Sequence, residues 1–389
     1  MPDVVIVAAR RTPQGRFMGK LSRLTAVDLA VAAGEACLPG FDPGDIDEVV
    51  LGNVLTAGQG MNPARQAGVR LGLPIDRPAF TVNTMCASGM QAVMLAAQAI
   101  VAGQSRAVLC GGTESMSNAP YLLERARRGY KLGDGRLVDG MLRDGLVDAF
   151  DHQHMGMTAE RLADEHDLSR AAQDAFAERS QRLYARAEQN DVFARERVVM
   201  DALATDEHPR PDTTVEALAG LEPAFREGGR VTAGNAAGIN DGAAMLLVCD
   251  RGFAEQRGWR PLAAIEAWAT VGCDPARMGL GPVHATEKLC ATRGWALSRF
   301  DAIELNEAFA AQALACLKHW SLPADAPHLN PHGGAIALGH PIGASGARLI
   351  THLAHRLAEG QVQHALATLC VGGGMGAAVA LTQPRGDRT

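Results

Sequence analysis

At 389 residues, with 47% hydrophobic and 21% charged side chains, the chain has the composition of a soluble globular protein of about two to three domain-sized units, which excludes a disordered or fibrous one. Its net charge of −6, and the absence of any basic run longer than "RARR" at Arg125–Arg128, exclude the electrostatic footprint of a nucleic-acid binder. Eight cysteines without a CxxC pair, an opening "MPDVVIVAARRTP" broken too early for a signal peptide, and no apolar run near the roughly 20 residues of a membrane span predict reduced thiols in a cytoplasmic protein with no membrane partner.

In chain order, the opening apolar run predicts a strand, and "DIDEVVLGN" (Asp45 to Asn53) a second. "NTMCASGMQAVMLAA", from Asn83, then passes from strand to helix around Cys86. Met90, Val93, Met94, Ala97, Ile100 and Val101 recur at helical spacing, and Gly103 ends the run. "RAVLCGG", from Arg106, is apolar on both faces, as a strand covered by helices would be. Between about Tyr121 and Val231 the texture turns polar and Gly-rich, with one charged amphipathic helix capped by Ser169 and carrying Ala172, Phe176, Leu183 and Ala187 on its apolar face.

Beyond that block the opening plan returns. "RFDAIELNE" (Arg299 to Glu307) echoes the second strand. Asp47 to Cys86 spans 39 residues, and so does Asp301 to His340. Ala344-Ser345-Gly346 parallels Ala87-Ser88-Gly89, and Leu349, Ile350, Leu353 and Leu357 form a second helical stripe ended by Gly360. "ALATLCVGGG", from Ala365, repeats the buried strand. Two related α/β halves with an inserted block account for this pattern: residues 1–120 for the first half, 121–232 for the insertion, 233–260 for the return to the first half, and 261–389 for the second.

Cys86 would occupy the first turn of its helix, where unpaired N–H groups and the dipole favour a thiolate. A buried cysteine taken alone is more often a small core residue. Three further placements turn the balance. His340 sits among Gly333, Gly334, Gly339, Gly343 and Gly346, which let backbone approach a ligand closely; Cys370 ends a strand just before Gly372, Gly373 and Gly374; and Asn306 closes a strand at the end where α/β sites gather. A nucleophilic thiol, an imidazole and a second thiol suit acyl transfer followed by proton transfer at the weakly acidic α-carbon of a thioester. "GGGMG" is followed by more strand rather than a helix, against a dinucleotide site. His152 with His154, and His352 with His355, lack companion ligands at zinc spacing and read as surface histidines, so no metal is expected.

"VIVAARRTP", "NPARQAG", "VNTMCASGMQA", "GGTESMSNAPY", "HMGMTAERLA", "TAGNAAGINDGAA", "LNEAFAAQA", "NPHGGAIALGHPIGASGAR" and "CVGGGMGAA" occur in that order over residues 4 to 380. In this series the chain resembles the thiolases, the acetyl-CoA acetyltransferase and 3-ketoacyl-CoA thiolase family. The resemblance implies a duplicated five-layer αβαβα fold with an inserted loop domain that binds coenzyme A. It implies reversible thiolysis of 3-ketoacyl-CoA, or condensation of acetyl-CoA, through an acyl-cysteine, and a part in fatty-acid metabolism such as β-oxidation. Cys86 is then the nucleophile, His340 its base, and Cys370 the acid/base at the α-carbon. Asn306 holds a water in one oxyanion hole, and the N–H groups of Cys86 and Gly372 form the other. His154, Met155, Arg210, Ala233, Ala237, Ile239, Ala308 and Phe309 fall on positions lining the coenzyme A path. No permanently bound cofactor is implied; coenzyme A and acyl-CoA enter as substrates, and the assembly is a homodimer or homotetramer with "NPARQAG" at a subunit contact.

Two features qualify the resemblance. Ala237 replaces the serine of "AGNASG" found in many relatives, a loss of one hydrogen bond to pantetheine that costs about 0.5–1.5 kcal/mol. Cys370 separates the chain from the ketoacyl synthases, whose arrangement resembles Cys/His/His or Cys/His/Asn, and a silent acyl-CoA carrier would have no need of all four polar groups.

Overall fold

A computed structural model describes residues 3–384. The first half opens with β1 (Val4–Arg11) and the short β2 (Gly15–Arg16), then runs through α1 (Ala26–Cys37), β3 (Glu48–Gly52), α2 (Pro63–Arg70), β4 (Ala79–Val82), α3 (Ser88–Val101) and β5 (Ala107–Ser115). A middle block carries β6 (Tyr121–Leu122), β7 (Val138–Asp139), α4 (Met155–Glu165), α5 (Arg170–Gln189) and α6 (Val215–Ala219), before β8 (Asn240–Asp250) and α7 (Arg251–Arg257) rejoin the first half. The second half comprises β9 (Ala263–Gly272), α8 (Gly281–Arg293), β10 (Ala302–Leu305), α9 (Ala310–Trp320), α10 (Ala335–Leu338), α11 (Ile342–Ala358), β11 (His364–Val371) and β12 (Met375–Thr382).

The duplication read from the sequence is written into the strand order. One half runs β4-β3-β5-β8-β1 and the other β10-β11-β12-β9, joined where β1 meets β9 at Val5–Ala264 and Ile6–Ala263. In each half a parallel pair, β3 with β5 or β10 with β11, leads into an antiparallel one, β5 with β8 or β11 with β12. Even the edge strand β4, parallel to β3, has a counterpart in the parallel bridge from Ile303 to Leu329.

Strand side chains alternate between two environments, as period-2 geometry requires. Val108, Cys110, Leu246 and Val248 face a central core shared with α3 and α11, whereas Ala107, Leu109, Leu247 and Cys249 face α1 and α2. In the second half, Ala367, Leu369 and Val379 face the same central core, while Leu366, Ala378 and Ala380 face α8 and α9. The layers are therefore outer helices, strands, α3 with α11, strands, and outer helices: the five-layer αβαβα fold.

The central helices touch through glycine. A Cβ on Gly89 would stand 2.8 Å from the Gly343 carbonyl oxygen and 3.0 Å from the Ala347 Cβ, and one on Gly346 would stand 2.6 Å from the Met90 Cβ. Gly89→Ala should therefore force the two helices apart and destabilise the protein by about 1–3 kcal/mol, read as a lowered urea midpoint.

The middle block docks by hydrogen bonds rather than by a purely apolar face. Ser169 caps α5 by accepting from the Ala172 N–H, and Phe176 and Ala187 are buried, but Ala172 is exposed and Leu183 only half-buried. The buried face carries Arg179, whose Nη2 donates to the carbonyls of Ala326 (3.1 Å) and Leu329 (2.9 Å), and Ser180, which donates to Glu307 at 2.6 Å. Hydrophobic spacing missed these positions because polar side chains satisfied by partners can be buried too. A second tie runs through buried Arg11, whose guanidinium binds Asp206 (2.7 Å) and Glu196 (2.6 Å) of the loop after α5. Glu196 also binds His352 at 2.8 Å, so His352 is a buried structural residue and not a surface histidine.

Candidate active site

Cys86 and His340 occupy the same place in the two halves. Each stands two residues before a central helix, Cys86 ahead of α3 and His340 ahead of α11. Helix α3 begins at Ser88, so Cys86 lies on the entering turn and not within the first helical turn expected from the sequence. The reason is a backbone reversal at Met85 (φ 49°), which postpones the helix. Ser88 fixes that reversal: its hydroxyl donates to the Met85 carbonyl at 2.6 Å and accepts from the Thr84 N–H at 3.0 Å. His340 follows Gly339 at φ 101°, where a Cβ would also strike Asn240.

Asn240 Oδ1 in turn accepts the His340 N–H at 2.9 Å, pinning the turn to β8. Close approach of the two helix starts through Gly89, Gly112 and Gly343 sets these turns side by side. Cys370 reaches the same place from the end of β11, and Gly372 from the turn that follows.

Hydrogen bonds select the imidazole tautomer. The Ser345 hydroxyl donates to the Pro341 carbonyl at 2.9 Å, so it accepts from His340 Nδ1, 2.6 Å away. His340 Nε2 is then left with its lone pair, and Asn306 Nδ2 lies 3.5 Å from it. Asn306 follows β10 directly, and its buried Oδ1 has no protein partner among the described residues. Burial, then the charge of Arg348, pushes His340 down to about 4, so the imidazole rests neutral.

The thiols also rest neutral. Burial pushes Cys86 up to about 11, opposed by the backbone N–H groups of Gly372 and of Cys86 itself and aided by the charge of Glu114. Desolvation thus outweighs the helix-terminus field that the sequence suggested would favour a thiolate. Cys370 is held well above the ordinary thiol range by burial and then by Cys86, which places the two sulfurs within each other's field. Alkylation of Cys86 by iodoacetamide should accordingly still be accelerating at about pH 10, where an unperturbed thiol has levelled off. A rate that plateaus near pH 8 or 9 would contradict this environment.

These groups open into a cleft of about 580 Å³. Of the residues singled out from sequence, Cys86, His340, Cys370, Gly372, His154, Met155, Arg210, Ala233, Ala237, Ile239, Ala308 and Phe309 all line it, and Asn306 stands behind His340. The wall carrying Ala237 is stitched to that carrying Ala308 by the Ala237 N–H, which donates to the Ala308 carbonyl at 3.0 Å. His154 caps α4, accepting the Gly156 N–H on Nδ1 at 3.0 Å, and stacks on Phe225 with ring centroids 4.7 Å apart.

Sequence reading missed Phe225, Met278 and His208, which also line the cleft, as does Met116 of "GTESMSNAPY", a segment that the sequence left open between facing the cavity and turning the chain. Phe225 carried one weak signal, an aromatic among charges in "EPAFREGG"; Met278 and His208 had none. No cluster of three or more potential metal ligands occurs among the described residues.

The chain matches the family model "Thiolase, N-terminal domain" over residues 4–252 and "Thiolase, C-terminal domain" over residues 259–383. It is 48% identical to the acetyl-CoA acetyltransferase of Pseudomonas aeruginosa, over 98% of this chain and 100% of that one, and 47% identical to the Escherichia coli acetyl-CoA acetyltransferase, over 98% and 99%. Among solved structures it is similar to human mitochondrial 3-ketoacyl-CoA thiolase in complex with CoA, with a TM-score of 0.96 at 40% identity over 99% of this chain and 98% of that one. The acetyl-CoA acetyltransferase of Bacillus anthracis superposes with a TM-score of 0.95, also at 40% identity, over 99% of each chain.

Proposed function

The chain belongs to the thiolase family, and on that premise we propose that it catalyses the reversible, coenzyme A-dependent cleavage of 3-ketoacyl-CoA and the reverse condensation of acetyl-CoA, by two half-reactions through an acyl-Cys86. The observation that carries this reading is the meeting of Cys86, His340 and Cys370 in one cleft from opposite halves of the chain.

In the first half-reaction of thiolysis the Cys86 sulfur attacks the 3-keto carbon while His340 Nε2 takes the thiol proton. With the thiol pushed up to about 11 and the imidazole down to about 4, proton transfer without bond formation is uphill, so it accompanies attack. The N–H groups of Cys86 and Gly372 receive the developing oxyanion. Cleavage of the C2–C3 bond leaves the acyl group on Cys86 and an acetyl-CoA enolate, whose C2 takes a proton from Cys370. The enolate oxygen is stabilised by His340 Nε2–H, now protonated, and through a water held by Asn306. The proton on His340 then passes to the Cys370 thiolate. In the second half-reaction the neutral imidazole takes the thiol proton of coenzyme A as its sulfur attacks the acyl-Cys86 carbonyl, and gives it to Cys86 as that sulfur leaves. Condensation is the same path reversed.

We assign the wall formed by residues 121–232 and 233–239 to coenzyme A. Because Nδ1 of His154 accepts a hydrogen bond, the neutral ring carries its proton on Nε2, a donor suited to a pantetheine amide carbonyl. Ala237 gives such an amide no hydroxyl, and Arg210 brings positive charge to the mouth, suited to the nucleotide phosphates.

A dimer or tetramer fits the surface: β4 is a sheet edge carrying exposed Phe80, with Met61 and Ile75 exposed nearby in sequence, and Tyr121, Leu132, Leu137 and Phe150 are exposed in the middle block. Eight free cysteines suit a reducing cytoplasm, and no helix among the described residues is long and apolar enough to cross a membrane. The activity is tested by adding coenzyme A to acetoacetyl-CoA and following its enolate absorbance: loss at catalytic enzyme concentrations supports the reading, and a stable signal refutes it.

A further inference from the structure

We propose that Glu114 is a positioning residue for this reaction: its buried carboxylate clamps the turn after β3 to the start of α11 and thereby sets His340 against Cys86. The proposal rests on the reading of Cys86 as the nucleophile. Glu114 closes β5 with no solvent exposure and does not line the cleft, so it does not touch substrate.

Both of its oxygens are fully engaged. Oε1 accepts from Asn53 Nδ2 at 2.6 Å and from the Leu55 N–H at 3.1 Å; Oε2 accepts from the Val54 N–H at 3.1 Å and from the Gly343 N–H at 2.9 Å. Three of these donors belong to the first half and one to the second, so a single side chain spans the halves three residues from His340.

Helix α11 needs this bond. It follows Pro341 at the N-cap with no side-chain cap of its own, leaving the Gly343 N–H to be satisfied from elsewhere, and Glu114 supplies the acceptor and a negative charge at the positive helix end. The fit leaves no slack, since a Cβ on Gly343 would stand 2.6 Å from both Glu114 Oε2 and the Thr113 carbonyl. Burial pushes Glu114 up to about 7 against these four N–H donors, so above that pH they face a carboxylate. In a glutamine one of the two positions becomes an NH2 facing N–H groups.

The charge has its own consequence. Glu114 acts on the Cys86 thiol ahead of α3 and raises it. Facing Glu114 are Asp241 of β8, itself bonded to Ser117, the Asn53 amide after β3, and the start of α11, whose nearest ionisable groups are His340 and Arg348. All of these remain when Glu114 is changed.

The test uses full-length enzyme, with wild type first shown to become acetylated on Cys86; failure there would fall on the reading of Cys86 and not on Glu114. Glu114→Gln should lower kcat for acetoacetyl-CoA thiolysis about 10²-fold, because a small misplacement of reacting groups is that costly, with KM for coenzyme A within about threefold. At pH 8 its Cys86 should nevertheless be alkylated by iodoacetamide faster than in wild type, since a negative charge has gone. Glu114→Asp keeps the charge but falls short of Gly343, so its kcat should drop with alkylation at the wild-type rate. A purely structural loss would loosen the site in both variants and speed alkylation of Cys86 in Glu114→Asp as well. Glu114→Gln with kcat within about threefold of wild type, or with Cys86 no faster in alkylation, overturns the proposal. Should the Gln variant not fold, Asn53→Ala removes one donor and keeps the charge: lowered kcat at unchanged KM is expected, and unchanged kcat overturns it.

Discussion

Replacing Cys86 with alanine should abolish thiolysis and condensation alike, with turnover at least about 10⁴-fold below wild type. No other group in the cleft can substitute. Cys370 is buried and held well above the ordinary thiol range, and His340, as a neutral base, depends on a thiol to deprotonate. The side chain is small and borders the cleft, so its truncation leaves no large core void and the melting temperature should stay within a few degrees of wild type. Coenzyme A should still bind, because the proposed pantetheine wall of His154, Ala237, Ala308 and Phe309 is untouched. Steady-state rates, calorimetric binding of coenzyme A and thermal unfolding check the three parts. Residual turnover within about a hundredfold of wild type would remove Cys86 from the role assigned to it.

Cys370→Ser separates the half-reactions. Passing an acetyl group between acetyl-CoA and Cys86 needs no proton transfer at carbon, so exchange of labelled coenzyme A into acetyl-CoA should persist within about tenfold of wild type. Condensation and thiolysis need Cys370 at the α-carbon, and a serine hydroxyl is far too weak an acid or base to replace the thiol. Loss of a positioned acid/base group should lower both by about 10²- to 10⁴-fold. The variant is conservative in volume, so the split cannot be ascribed to repacking. Equal losses in exchange and condensation would assign Cys370 to the acyl-transfer step instead.

The near balance of thioester exchange explains why one site can run in both directions, since an acyl group moved from one sulfur to another changes little in energy. What the protein supplies is a place where the thiol, the imidazole and the second thiol remain uncharged until substrate arrives. Burial does this for all three, moving the thiols up and the imidazole down. The same burial is why the sequence suggested the wrong resting state for Cys86. A cysteine near a helix start is legible as a helix-dipole site, but desolvation is a property of the packed neighbours.

Other parts were legible because they are local or repeated. The equal 39-residue spacings from Asp47 to Cys86 and from Asp301 to His340 mark equivalent turns, and the structure places both residues two positions before paired helices. The buried strands announced themselves by being apolar on both faces, as Val108 and Leu109 show by packing on opposite layers. The reversal at Met85 was not legible, because a left-handed methionine carries no glycine signal. Neither was the polar docking face of α5, where Arg179, Ser180 and Gln181 are buried only because distant carbonyls and Glu307 await them. Phe225 reaches the cleft by stacking on His154 from a loop, a contact between segments 71 residues apart with no periodic trace.

The central claim is that sulfur 86 alone carries the acyl group while groups from the other half of the chain manage the protons. Brief exposure of the wild-type enzyme to acetyl-CoA, acid quench and peptide mass analysis tests it directly. The account predicts a single acetyl group, 42 Da by composition, on the peptide containing Cys86, released when coenzyme A is added before the quench. An acetyl group on Cys370 or on any other residue, or no acetyl group at all in an enzyme that turns over, would contradict it.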